Sequence, residues 1–113
     1  MSILDEIFAV KGEFVVITGG QGDLGSEYTK TLAVAGANVA IFDIKKDAHP
    51  KVQKLIDDGY PVISIKTDIA NKKEVENAMQ SAIRHFGDTP TILINNGGMA
   101  SHPNASVDEN GLF

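Results

Sequence analysis

Val15-Val16-Ile17-Thr18-Gly19-Gly20-Gln21-Gly22-Asp23-Leu24-Gly25, with Asp43 standing 18 residues beyond Gly25, decides the reading of this chain. An apolar run leads into a glycine turn, the turn opens an amphipathic stretch, and an acid closes the next apolar run. That is the order a dinucleotide site requires. Gly20, Gly22 and Gly25 fit G-x-G-x-x-G. Glycines permit a tight turn and let backbone N–H groups approach a pyrophosphate, and the start of the following helix favours the anion. Asp43 would accept hydrogen bonds from adenosine ribose hydroxyls. The plainer alternative is a packing turn, with Asp23 capping the helix and Asp43 solvated.

Outward from this stretch, strand and helix patterns alternate. Phe14 to Thr18 reads as a strand buried on both faces. A helix follows from Asp23 to about Ala35, with Leu24, Tyr28, Leu32 and Ala35 on its inward face and Gly36 ending it. Asn38 to Asp43 is a second strand. Asp47 to Asp58 is helical, with Val52, Leu55 and Ile56 inward, and Pro61 to Lys66 is a third strand. Asn71 is placed to cap a helix from Lys72 to Phe86, whose apolar stripe is Val75, Ala78, Met79, Ala82, Ile83 and Phe86. Thr91 to Ile94 is a fourth strand, also read as buried on both faces. The alternation calls for a parallel sheet with right-handed crossovers. The expected fold is α/β: a Rossmann-type sheet of about four strands in the order 3-2-1-4, with helices on both faces. Residues 1–98 form the dinucleotide-binding domain, and 99–113, rich in Gly, Ser, Asn and Pro, form a loop or tail.

Bulk properties narrow the function. A chain of 113 residues has room for one domain with a modest core. A net charge of −5 argues against a nucleic-acid surface. With no cysteine there is neither a disulfide framework nor a thiolate metal site. His49, His85 and His102 lack an i, i+4 partner and an acidic cluster at ligand spacing, so no metal site is expected. The apolar runs are strand-sized, the amino terminus lacks a signal-peptide pattern, and a cytoplasmic location is expected.

At Asn95-Asn96-Gly97-Gly98 the pattern resembles the short-chain dehydrogenase/reductase family. Thr18-Gly19 with Gly25 follows the first strand, Asp43 the second, Asp68-Ile69 the third, and Asn-Asn-x-Gly the fourth. The likeness covers about residues 10–100. It implies that Gly19, Gln21, Gly22, Asp23, Leu24 and Gly25 hold the pyrophosphate. Asp43, with Ile44 beside it, would hold the adenosine ribose, and Asp68 with Ile69 the adenine edge. Asn95 and Gly97 would line the cofactor further along. An acid at position 43 points to NAD, because a 2′-phosphate would meet a carboxylate. Two unit charges about 5 Å apart at an effective dielectric of about 20 repel by roughly 3 kcal/mol.

The family's single-domain branch carries Thr-Gly-x-x-x-Gly-x-Gly, with glycine where this chain has Asp23. The spacing Thr18-Gly19-x-x-Gly22-x-x-Gly25 resembles the extended branch, which includes sugar-nucleotide epimerases. Asp23 is acceptable beside a pyrophosphate if its side chain turns back to cap the helix. The family reaction is hydride transfer between nicotinamide and a carbonyl or secondary alcohol, assisted by a Ser, a Tyr and a Lys four residues after the Tyr. Here Leu32 stands four residues after Tyr28 and Ser64 four after Tyr60, so no catalytic residue is assigned and both tyrosines read as structural. Ser101 and Asn110 come too early for the family's serine and asparagine. The chain is thus expected to be a truncated, NAD-binding half. Its expected partners are the dinucleotide, a small carbonyl or alcohol if the other half is present, and a second copy through the fourth strand. A non-catalytic module and the amino-terminal half of an epimerase are the alternatives.

Overall fold

The computed structural model describes residues 10–45 and 47–96. Over these residues the chain forms β1 (Phe14–Thr18), α1 (Asp23–Val34), β2 (Asn38–Asp43), α2 (Pro50–Asp57), β3 (Val62–Lys66), α3 (Lys72–Phe86) and β4 (Ile92–Asn95). The strands are parallel in the order β3-β2-β1-β4. After β3 the chain crosses to the other side of β1, and this reversal of winding between β1 and β4 opens the crevice beyond the strand ends where such sheets take ligands. The expected fold class and strand order are both found.

Alternate strand residues feed two cores. Val15, Ile17, Val39, Ile41 and Val62 pack beneath Ala33 of α1 and Val52 and Leu55 of α2. Phe14, Val16, Ala40 and Phe42 pack on the opposite face against Ala78 and Ala82 of α3. Phe86 closes that core edge-on to Phe14, with ring centroids 5.0 Å apart. β1 and β2 are covered on both faces, which explains their unbroken apolar runs. Among the described residues no helix is long and apolar enough to cross a membrane.

Three expectations are corrected. The inward face of α1 consists of Gly25, Ser26, Thr29 and Ala33, whereas Leu24 and Tyr28 are exposed. Small side chains bring this helix close to the sheet, and Thr29 satisfies its buried hydroxyl on the Gly25 carbonyl. Tyr28 therefore does not pack inward. The second helix begins at Pro50, not Asp47: proline takes the first helical position, and His49 caps it by accepting the Lys51 N–H. β4 is not buried on both faces, since Ile92 and Ile94 are half-buried while Leu93 is 66% exposed. Strand ends at Pro61 and Thr91 shift by one residue. α3 begins and ends as expected, with Asn71 accepting the Glu74 N–H and Gly87 ending it in the left-handed region.

Candidate functional site

β1 delivers the chain to the crevice, and Gly19 turns it there with φ +73°. Its N–H donates to the Phe42 carbonyl at 2.9 Å, tying the turn to β2. A Cβ at position 25 would stand 2.1 Å from the Gly19 carbonyl oxygen, and one at position 20 would stand 2.7 Å from Ile41 Cγ2. Both positions need glycine because the turn folds directly onto α1 and β2. Gly22 differs: a Cβ there meets only the Gly19 oxygen, at 3.6 Å. It is also the N-cap of α1 and contributes no capping side chain. The opening N–H groups of α1 thus start at a bare glycine, a form suited to an anion.

Asp23 occupies the first position of α1 with its side chain fully exposed, and it does not cap the helix. Its Oδ1 lies 3.2 Å from His49 Nε2 instead. His49 thereby acquires an acidic neighbour that spacing along the chain conceals, since 26 residues separate them. Among the described residues no cluster of three or more His, Asp or Glu could hold a metal.

Asp43, at the end of β2, is only 7% exposed and is not a solvated acid. Its Oδ2 accepts the Gln21 N–H at 3.0 Å and its Oδ1 accepts the Lys45 N–H at 2.9 Å. A carboxylate offers about four lone-pair sites, so two remain for other donors. Ile44, next along, is exposed. The Asp43 carbonyl accepts the Thr67 N–H at 2.8 Å, which leads the chain into Asp68 and Ile69 at the same end of the sheet. Asp68 Oδ1 accepts the Ala70 N–H, and Ile69 leans on the core under α3.

Across the crevice, Thr18 Oγ1 donates to Asn95 Oδ1 at 2.9 Å. Asn96 Nδ2 donates to the Gly19 carbonyl at 3.2 Å and braces the glycine turn from β4. Gly97 lies outside the described residues, as do Lys46, Ser101, His102 and Asn110. Gly19, Gln21, Gly22, Asp23, Leu24, Gly25, Asp43, Asp68 and Asn95 all fall at the carboxyl ends of the strands. Asn96 and His49 join them there, and Ser64, midway along β3, is tied to them by the Gln21 side chain; the sequence assigns none of the three a place in the site. The doubled Asn95-Asn96 was the available signal for the first; the other two carry none, because their partners are distant in the chain. A separate groove of about 370 Å³ runs along α3, lined by Lys73, Glu76, Asn77, Gln80, Ser81 and Arg84, and shares no residue with the glycine turn.

These elements suit an elongated ligand with an anionic centre: a bare helix start, a cradle that a Cβ would fill, and an acid fixed beside it. The family model described as short chain dehydrogenase matches residues 13–111. The chain belongs to the short-chain dehydrogenase family. It is 33% identical over 85 residues to a diacetyl reductase, (S)-acetoin forming, of Staphylococcus epidermidis, covering 74% of this chain and 33% of that one. It is 28% identical over 98 residues to a 15-hydroxyprostaglandin dehydrogenase [NAD(+)] of Rattus norvegicus, covering 84% and 36% respectively. A solved structure of a putative D-mannonate oxidoreductase from Haemophilus influenza, with NAD bound, matches at TM-score 0.71 and 28% identity over 81% of this chain and 34% of that one. A short-chain dehydrogenase/reductase from Burkholderia phymatum in complex with NAD matches at TM-score 0.67 and 26% identity, over 74% and 30%. The chain spans about a third of the length of the curated relatives it matches.

Proposed function

We propose that this chain is the NAD-binding part of a short-chain dehydrogenase/reductase. The observation that carries the reading is Asp43, buried beside the glycine turn with each carboxylate oxygen fixed by a backbone N–H. A fixed acid there suits the two hydroxyls of an unmodified ribose and opposes a 2′-phosphate. In this reading Gly19 to Gly25 receive the pyrophosphate at the start of α1. Asp43 and Ile44 take the adenosine ribose, Asp68 and Ile69 the adenine, and Asn95 with Gly97 the path toward the nicotinamide. The NAD or NADH in its solved neighbours supports the cofactor assignment.

When bound, the nicotinamide supplies or accepts a hydride, the family reaction being carbonyl reduction or alcohol oxidation. The 113 residues hold no Tyr-x-x-x-Lys. Their contribution is to bind and orient the dinucleotide, and proton transfer to the substrate oxygen belongs to residues outside them. A cytoplasmic setting, with free dinucleotide at hand, goes with this reading. Titration calorimetry of the chain with NADH and NADPH tests it. We expect NADH to bind more tightly, with a dissociation constant on the order of 0.1–1 mM, and Asp43→Ala to narrow the gap. Equal affinities, or tighter NADPH binding, would remove Asp43 from its role.

A further inference from the structure

Gln21 is 2% exposed, although its side chain is a primary amide set between glycines in a surface turn. Burying an amide is unfavourable unless its polar atoms are satisfied. Here Oε1 accepts the His49 N–H at 2.6 Å and Nε2 donates to Ser64 Oγ at 2.7 Å. A backbone N–H can only donate, so the contact with His49 settles which end of the amide is which. The backbone N–H of the same residue holds Asp43 Oδ2. One residue thus joins the glycine turn, the acid ending β2, the start of α2 and the edge strand β3.

We propose that Gln21 is a positioning residue that sets the preference for a ribose 2′-hydroxyl over a 2′-phosphate. It acts through Asp43 and rests on the reading of this site as an NAD site. A protein that admits a 2′-phosphate must move the acid away or open the segment after β2 to make room. Gln21 opposes both movements. Its N–H fixes the carboxylate, which Lys45 N–H holds from the other side. Its side chain ties the chain at His49, which closes that segment, to Ser64 on β3. Relaxing the bracket leaves the charge of Asp43 in place but frees it to swing aside, and discrimination weakens.

The test is the ratio of NADP to NAD dissociation constants, measured by calorimetry on the 113-residue chain, in wild type, Gln21→Met and Ser64→Ala. Methionine conserves volume and the backbone N–H while removing both side-chain hydrogen bonds. Ser64 is exposed on an edge strand, so its loss unties one end of the bracket with little consequence for folding. We expect the ratio to fall about tenfold in Gln21→Met and about threefold in Ser64→Ala. A purely structural role would weaken both dinucleotides alike and leave the ratio unchanged, which overturns the proposal. If Gln21→Met fails to fold, Ser64→Ala decides alone, and an unchanged ratio there overturns it equally. Wild-type chain that binds neither dinucleotide, or shows no preference, sinks the NAD reading itself, whereas a wild-type preference untouched by both variants sinks only the role of Gln21.

Discussion

A methyl group at position 25 would lie 2.1 Å from the Gly19 carbonyl oxygen and 2.8 Å from Gly20 Cα. Both neighbours are backbone and cannot step aside without opening the turn. Gly25→Ala should therefore cost about 2–3 kcal/mol, at the upper end of ordinary overpacking. Gly22→Ala, at φ −79° with its added methyl in ordinary contact with the Gly19 oxygen at 3.6 Å, should cost under about 1 kcal/mol, mostly as lost N-cap preference. Urea denaturation of the two variants checks this, and similar midpoints for both would show that the turn does not pack as described. The glycine spacing was legible in the sequence because a chain reversal onto a helix leaves no room for side chains. Gln21 as a bracket was not legible. Its hydrogen-bond partners, Ser64 and His49, lie 43 and 28 residues away, and no periodicity relates them.

For the elements, hydrophobic periodicity locates the strands and helices of the described residues but misjudges the rotation of α1. Leu24 and Tyr28 point away from the core although Leu32, on the same apolar stripe, packs against it, and the helix lies on the sheet chiefly through Gly25, Ser26, Thr29 and Ala33. Close approach between backbones outweighs the size of the apolar side chains when the preceding turn fixes the helix's orientation. α2 starts later than Asp47, the expected beginning, because its cap is His49, a histidine and not one of the usual capping residues. The first turn of α1 also carries Asp23, a fully exposed carboxylate beside the proposed pyrophosphate site. A unit charge about 7 Å from another in water repels by roughly 0.6 kcal/mol, near threefold in affinity. Asp23→Asn should accordingly tighten NADH binding about threefold at low salt, with the gain fading as ionic strength rises. Calorimetry at two salt concentrations measures it. An unchanged or weaker affinity would mean that the acid's partnership with His49 matters more than its charge.

Across the whole molecule, the β3-β2-β1-β4 order was legible because alternating elements and right-handed crossovers leave few topologies. What covers β4 was not, because burial of a strand depends on neighbours its own sequence does not name. Among the described elements β4 pairs only with β1, and Leu93 faces outward on the α3 side. Leaving about 200 Å² of apolar surface wet forgoes roughly 5 kcal/mol, comparable to the whole stability of a small domain. An open edge is moreover a template for pairing with another chain. The 113-residue chain should thus self-associate at micromolar concentration or unfold at low urea. Sedimentation velocity combined with urea denaturation tests this, and a strict monomer with a high midpoint would refute it. In the proposed function the dinucleotide lies across the carboxyl ends of these strands. The most direct test of this placement is an amide chemical-shift titration of the labelled chain with NAD. The largest shifts are expected at Gly19–Gly25, Asp43–Lys45 and Asp68–Ile69. Shifts confined to the groove along α3, or none at saturating NAD, would contradict it.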